Sequence, residues 1–177
     1  LAENFGYVSS QNGRLFRLKY QNDGTLTSPF QSPSGEWSEI TPNGASNQLF
    51  INPFVLDPNN EDIMYYLAGG VIWRNDDLSN IDNFQNGTSQ GWTELVDLSV
   101  PNSLTTLEIS ASNPKHRLYY AEFSNSISPK IYKLDNANTA TDGETEISIS
   151  TAPTGAYIHD IEVNPQNADE VIAVMSN

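Results

Sequence analysis

The chain has 177 residues and a formal charge of −14, which disfavours nucleic acid as a partner because a polyanion attracts cationic surfaces. It has no cysteine, which excludes disulfides and thiol chemistry, and no apolar run approaches the roughly 18 residues of a membrane-spanning helix. With 37% hydrophobic and 17% charged residues, the chain is expected to fold without membrane insertion.

Short runs rich in β-branched and aromatic residues follow one another along the chain, separated by turn dipeptides such as Asn12-Gly13 and Asp142-Gly143. Such runs favour strands, while Asn and Gly accept the left-handed backbone of tight turns. No segment of a dozen residues carries the apolar stripe of an amphipathic helix. The sequence therefore predicts an all-β fold. In chain order, the predicted strands are 6–9, 15–20, 63–68, 71–74, 92–98, 104–109, 118–123, 131–134, 147–150, 157–163 and 171–174.

One pattern recurs along the chain with a nearly constant spacing. An apolar strand that ends in an Asn-containing turn carries Phe54, Leu107 and Ile161, which are spaced by 53 and 54 residues. Trp37 and Trp92 each begin a Trp-x-Glu segment and lie 55 residues apart. A period of this size indicates repeated supersecondary units. Each unit holds four predicted strands: an inner strand, a Tyr-rich second strand, a third strand with an aromatic residue, and an outer strand.

Four-stranded units that pack radially are the blades of a β-propeller, which typically has about 4–8 of them. The chain is long enough for only about three units of this period, so the sequence predicts a β-propeller fragment of about three blades of a larger ring. The predicted divisions are an incomplete blade in 1–40, blades in 52–98 and 104–150, and an incomplete blade in 157–177.

The segment Val55-Leu-Asp-Pro-Asn-Asn-Glu-Asp-Ile-Met-Tyr65, followed by Gly69-Gly-Val-Ile-Trp-Arg-Asn-Asp-Asp77, resembles the repeat of BNR/Asp-box β-propellers. That superfamily includes sortilin-like (Vps10) domains, xyloglucanase-like glycoside hydrolases and sialidases. The resemblance implies a propeller over nearly the whole chain but no single activity, because the family uses one scaffold for hydrolysis, peptide binding and assembly. The Asp-box is degenerate here, since Trp92 follows Asp77 only after an insertion.

The carboxylates and arginines of the repeat are expected to be structural. Asp76 and Asp77 are predicted to cap a turn, with calcium binding as the alternative. Sialidases use three converging arginines, but Arg17 and Arg74 follow aromatic residues at equivalent repeat positions, which favours packing roles. Glycoside hydrolysis needs two carboxylates across a cleft. Asp160 has no partner at the family spacing, so no catalytic residue, metal or cofactor is assigned.

A second group of polar residues is predicted to face a ligand. Asn52, Thr105 and His159 occupy equivalent positions where inner strands begin, and Asp160 follows the last of them. Propellers of the resembled kind open their ligand funnel there, and loops on a rigid scaffold commonly carry recognition. These four residues are the ligand-face candidates, with a solvated loop as the alternative for His159. The insertion 124–129 is expected on the same face.

Three further expectations concern packing and the opposite face. Trp37, Trp73 and Trp92 are predicted to pack in the core rather than to form sugar-stacking platforms, because they recur at blade-equivalent positions. Asp57 is expected to lie in a structural turn opposite the ligand face, as are Asn164 and Pro165. His116 is expected to be exposed in a turn on that side.

The composition and the resemblance together predict a non-catalytic binding or scaffolding propeller of a secreted or cell-surface protein, of bacterial type. Its ligand would be a protein or a polysaccharide, and it would form part of a larger assembly. The alternative is a glycoside hydrolase that acts on a polysaccharide through a carboxylate pair.

Overall fold

The computed structural model describes residues 4–26, 37–82, 86–147, 149 and 151–177. These residues form thirteen strands and two single-turn 3-10 helices, Leu78–Asn80 and Val96–Leu98, so the predicted all-β class is confirmed. The strands are β1 (Asn4–Ser9), β2 (Leu15–Tyr20), β3 (Trp37–Glu39), β4 (Phe54–Leu56), β5 (Met64–Ala68), β6 (Val71–Asn75), β7 (Trp92–Glu94), β8 (Ser103–Ile109), β9 (Leu118–Phe123), β10 (Lys130–Leu134), β11 (Thr145–Ile147), β12 (Tyr157–Val163) and β13 (Val171–Ser176). Within the described ranges, no helix is long and apolar enough to cross a membrane.

The strands form four separate antiparallel sheets, in each of which neighbours in sequence are neighbours in space. Sheet I has the order β1-β2-β3, sheet II β4-β5-β6-β7, sheet III β8-β9-β10-β11, and sheet IV β12-β13. Consecutive antiparallel pairing needs only short connections, which suits a chain rich in Asn-Gly and Asp-Gly turns.

Successive sheets pack face to face through three apolar clusters. Tyr66 of β5 packs with Leu15 and Ile40 near sheet I, whereas Tyr65 packs with Leu104 and Leu107 of sheet III. Side chains alternate between the two faces of a strand, so a Tyr-Tyr pair buries one ring on each side of its sheet. The pair in β9 repeats the arrangement, with one Tyr toward sheet II and the other toward sheet IV.

The predicted core tryptophans lie inside this stack. Trp73 and Trp92 are both buried in the cluster between sheets I and II, which confirms their packing role. The indole Nε1 of Trp92 donates a hydrogen bond of 2.8 Å to the Ile40 carbonyl. A buried indole N–H needs such a partner, and here the partner belongs to the end of sheet I. The side chain of Trp37 lies outside what the structure describes.

Two predicted outer strands differ from the structure. The strand predicted over 92–98 ends at Glu94, and Val96–Leu98 forms a 3-10 turn. Leu95 and Leu98 are both buried, and this turn places both beneath sheet II, where an extended strand would point them to opposite faces. The strand predicted over 147–150 is observed as Thr145–Ile147, and residues 148 and 150 lie outside the described ranges.

Two contacts recur between successive sheets. Arg17 in β2 donates to the carbonyls of Leu78 and Ile81, and Arg74 in β6 donates in the same way to Ala137 and Ala140. In each case a guanidinium on one sheet holds the segment that follows a strand of the next sheet. The expected structural roles of Arg17 and Arg74 are therefore confirmed, with backbone carbonyls as their partners.

The second recurring contact joins the turns that follow the inner strands. Asn59 Nδ2 donates 2.9 Å to the Ser110 carbonyl, and Ser112 Oγ donates 3.4 Å to the Asn164 carbonyl. Each donor lies two residues beyond the repeat equivalent of the acceptor on its own sheet. Hydrogen bonds at equivalent positions, from an Asn amide in one case and a Ser hydroxyl in the other, thus link sheet II to III and sheet III to IV.

Candidate functional site

The four ligand-face candidates lie together. Asn52, Thr105, His159 and Asp160 line one open cleft of about 480 Å³ at the starts of β4, β8 and β12. We call this the inner-strand cleft. Strand β8 packs against both β4 and β12, so residues distant in sequence meet there. Among the described residues that line the cleft, none is Lys or Arg.

Two β-bulges lie in the lining of the cleft. The register between β8 and β9 shifts between Leu104 and Thr106, and the register between β12 and β13 shifts between Ile158 and Asp160. Thr105 and His159 are therefore the extra residues at equivalent positions of two sheets. A bulge bends its strand and re-aims the extra side chain, which is a common device beside binding sites.

Thr105 is the most unusual of the four residues. It is 5% exposed, and its hydroxyl has no hydrogen-bond partner among the described residues. An unpaired buried hydroxyl destabilises a fold by about 1–3 kcal/mol, so most such groups in proteins have a partner. Thr105 thus borders the inner-strand cleft with a polar group whose bonding capacity the fold leaves unused.

Asn52 plays a different part, because its amide is occupied by main-chain groups. Its Oδ1 accepts a hydrogen bond of 3.0 Å from the Leu49 N–H, and its Nδ2 donates to the Leu67 carbonyl. The residue is almost completely buried. Asn52 therefore shapes the wall of the inner-strand cleft and holds the segment that leads into β4.

His159 lies at the exposed rim of the cleft in a short aromatic row. The ring centroids of His159 and Tyr157 are 4.8 Å apart. Those of Tyr157 and Phe123 are 5.0 Å apart. The Nε2 of His159 is 2.7 Å from Ser176 Oγ, at hydrogen-bond distance. The ring is therefore positioned by Ser176 of β13 and by a tilted contact with the ring of Tyr157.

The inner-strand cleft also contains a carboxyl that sequence reasoning missed. Glu108 is half-buried, and its pKa is raised to about 7, chiefly by burial and further by the charges of Glu162 and Asp160. A main-chain hydrogen bond at Ile109 partly opposes this rise. Asp160 is exposed and accepts a hydrogen bond from the Ile161 N–H. The repeat itself held a signal, since Glu108 and Glu162 occupy equivalent positions at which β4 has an apolar residue, Val55.

The insertion 124–129 lies beside the cleft rather than in its wall. Ser124 and Ser126 line a neighbouring depression of about 590 Å³ together with Gly69 and Gly70. The loop packs on the connection that leads into β12, since Ser128 Oγ donates to the Ala152 carbonyl. Phe123, which directly precedes the insertion, contacts Tyr157 at the inner-strand cleft.

The expectation that His116 is exposed is wrong. Its Nδ1 is 2.6 Å from Oδ2 of Asp57, which is completely buried where β4 ends. The other carboxylate oxygen of Asp57 accepts a hydrogen bond of 2.9 Å from the Asn59 N–H. Asp57 therefore has the structural role expected of it. A fully buried carboxylate needs a partner, and the next sheet supplies His116.

The degenerate Asp-box forms a turn that is held by Asn75, whereas Asp76 and Asp77 were expected to cap it. The fully buried Asn75 accepts a hydrogen bond from the Asp77 N–H and donates to the Gln90 carbonyl. Asp77 accepts a hydrogen bond from the Asn80 amide, whereas Asp76 is exposed. The described part of the chain contains no group of three or more His, Asp or Glu residues arranged to hold a metal.

The arginines lie away from the cleft and have structural partners. Arg14 forms two hydrogen bonds to Glu39, at 3.1 and 2.6 Å. Arg117 bridges Asp135 on its own sheet and Asp169 in sheet IV. A cluster of converging guanidinium groups, which a sialidase needs, is not formed by the described residues.

No protein-family model matches this sequence, and a search of curated proteins gives no significant match.

Proposed function

We propose that the chain is part of a BNR-type β-propeller that binds a ligand in the inner-strand cleft without catalysing a reaction. The observation that carries the binding role is the unpaired, buried Thr105 hydroxyl beside a cleft formed by three equivalent strand starts. Low Lys content and abundant Asn, Ser and Thr favour a secreted or cell-surface protein of bacterial type. Its ligand would be a protein or a polysaccharide.

The recurring contacts between sheets support a radial arrangement. The arginine contact joins sheet I to II and sheet II to III, and the turn contact joins sheet II to III and sheet III to IV. Successive steps that share a contact would repeat nearly the same rotation. Repetition of one rotation produces a ring or a superhelix, and four-stranded sheets with neighbouring inner strands form rings. The repeated bonds of Arg17 and Arg74 are therefore the observation that favours a propeller over other stacked sheets.

The last sheet supports a larger ring. Ile172 and Val174 of β13 are 71% and 56% exposed. The equivalent side chains of β9, Tyr119 and Ala121, are buried against sheet IV. We propose that a further sheet covers this face in the complete assembly, because a row of exposed β-branched side chains on an open edge strand favours pairing and burial.

A glycoside hydrolase is the second candidate, and one observation favours it. Glu108 and Asp160 line the same cleft, and the raised pKa of Glu108 is the property that a general acid requires. A non-catalytic site remains the better proposal because burial, with the added charges of Glu162 and Asp160, accounts for the raised pKa of Glu108 without any substrate.

A binding screen with cleft variants tests the proposal. The full chain would be applied to a peptide array and to a panel of plant and microbial polysaccharides. In Thr105→Val and His159→Ala, the affinity for any ligand found in the screen is expected to fall at least tenfold. The control Gln166→Ala, in the turn that follows β12, should bind as the original chain does. Equal binding by all four proteins would refute the proposed site.

The same panel separates binding from hydrolysis. Release of reducing sugar from any polysaccharide would be measured for the original chain, Glu108→Gln and Asp160→Asn. We expect no release. Turnover that either substitution abolishes would establish the hydrolase instead.

A further inference from the structure

We infer that the inner-strand cleft accepts one cationic group, the ammonium or guanidinium of a Lys or Arg side chain in a peptide ligand, held between Glu108 and Asp160. This inference rests on the proposed binding function and adds the chemistry of the ligand.

The charge around the cleft favours a cation. Glu108 on β8 and Asp160 on β12 line the same cleft, and Glu108 interacts electrostatically with Asp160 and with Glu162, which is also on β12. The other titratable groups nearby are His159 and Tyr157 on β12, and Tyr119, which lies opposite Glu108 on β9. Of the described residues that line the cleft, none carries a permanent positive charge. Like charges brought together without a counter-charge destabilise the fold, and a bound cation removes that repulsion.

The polar groups of the cleft match a ligand that only donates hydrogen bonds. Ammonium and guanidinium groups carry three and five N–H donors and no acceptor. The carboxylates of Glu108 and Asp160 are acceptors, and the Thr105 hydroxyl is a further acceptor without a partner in the described structure. Charge-assisted bonds of this type are about twice as strong as neutral ones.

The apolar part of the wall suits the stem of such a side chain. Tyr157 is half-buried beside the cleft and lies between the rings of Phe123 and His159. Lys and Arg pack their methylene groups along apolar surface, and their charged ends are attracted to aromatic faces. An anionic ligand would instead meet the two carboxyls that line the cleft, and no Lys or Arg side chain among its described lining residues.

Binding of a cation should depend on pH in a defined direction. The pKa of Glu108 is raised to about 7. A bound cation favours the ionised carboxylate, so binding releases a proton below this pH and strengthens as the pH rises. The affinity for a cationic probe is expected to rise about tenfold between pH 5.5 and 8.

The test uses a pair of nearly isosteric probes. The peptide acetyl-Gly-Arg-Gly-amide and its citrulline counterpart would be titrated into the full chain by calorimetry at pH 5.5 and 8. We expect the arginine peptide to bind at least tenfold more tightly at pH 8 and to lose this advantage in Glu108→Gln and Asp160→Asn. Glu94→Gln, an exposed substitution on β7, is the matched control and should bind normally.

Three results would overturn the inference. The first is equal affinity for the arginine and citrulline peptides, and the second is binding that Glu108→Gln leaves unchanged. The third is that no binding of the arginine peptide is detected at a concentration of about 10 mM. The binding free energy would then be weaker than about 3 kcal/mol. If the chain binds a neutral polysaccharide and Thr105→Val abolishes that binding, the inference of a cationic ligand is refuted, while the proposed binding function stays intact.

Discussion

Glu108 makes the stability of the chain depend on pH in a way that one substitution should remove. Its pKa rises from the ordinary value of 4.5 to about 7 in the folded chain. The folded chain therefore holds this proton more tightly than the unfolded chain does. As a consequence, the free energy of unfolding falls as the pH rises from 4.5 to about 7, and this contribution is flat outside that window.

The size of the effect follows from the pKa difference and the exposure of the side chain. The full difference corresponds to about 3 kcal/mol, and solvent screening of a half-buried carboxyl reduces it by about half, to about 1.5 kcal/mol. Glu108→Gln cannot titrate. The free energy of unfolding of Glu108→Gln minus that of the original chain should therefore rise by about 1–1.5 kcal/mol between pH 5 and pH 8.

Urea denaturation followed by tryptophan fluorescence at pH 5, 6, 7 and 8 measures this difference directly. Contributions from titrating groups that do not interact with Glu108 are shared by both proteins and cancel. Glu94→Gln removes an exposed carboxyl of the same type, and its pH profile should run parallel to that of the original chain. A parallel profile for Glu108→Gln would refute the argument that burial and neighbouring carboxyls stabilise the protonated form.

Three other predictions concern stability and are measured by the same denaturation assay at pH 7. Tyr65→Phe should leave stability unchanged or raise it, because the Tyr65 hydroxyl is buried without a partner in the described structure, whereas Tyr66→Phe should cost about 1 kcal/mol through its lost bond to the Gly13 carbonyl. The opposite order would contradict both assignments. Arg74→Met should lower the free energy of unfolding by about 2–3 kcal/mol, because two carbonyls of sheet III lose their hydrogen-bond donor. A change below about 0.5 kcal/mol would show that the recurring guanidinium contact does not stabilise the packing of the sheets. Asp57→Ala should lower the free energy of unfolding by about 3 kcal/mol, because His116 loses its partner and the turn at Asn59 loses a hydrogen bond. A loss of under about 0.5 kcal/mol, as for a surface residue, would contradict the burial of Asp57.

The sequence predicted the central strands well because they are apolar on both faces and are bounded by strong turn residues. Tyr65-Tyr66 and Tyr119-Tyr120 illustrate this, since consecutive large rings are compatible with a strand only when sheets cover both sides. The outer strands were predicted less well. They are short and polar, and in the segment after Trp92 the burial of Leu95 and Leu98 determines the backbone more than local propensity does.

The candidate site was predicted as a set of positions but not as a set of chemical roles. Alignment of the repeat placed Asn52, Thr105 and His159 together without any information on their partners. Only the structure shows that Asn52 is fully bonded while the Thr105 hydroxyl is unpaired. The link between His116 and Asp57 could not be predicted, because it joins different sheets and depends on the distance between two turns.

Variation at equivalent positions gives the inner-strand cleft its asymmetry. The apolar positions of the repeat are constrained because every sheet must pack against its neighbours, so Leu107 and Ile161 differ little in chemistry. The positions where inner strands begin differ more, and they hold an amide, a hydroxyl and an imidazole in turn. Three different groups at one place on three similar sheets create a surface without internal symmetry. Such a surface can bind a ligand in one orientation, which a strictly repeated set of side chains could not specify.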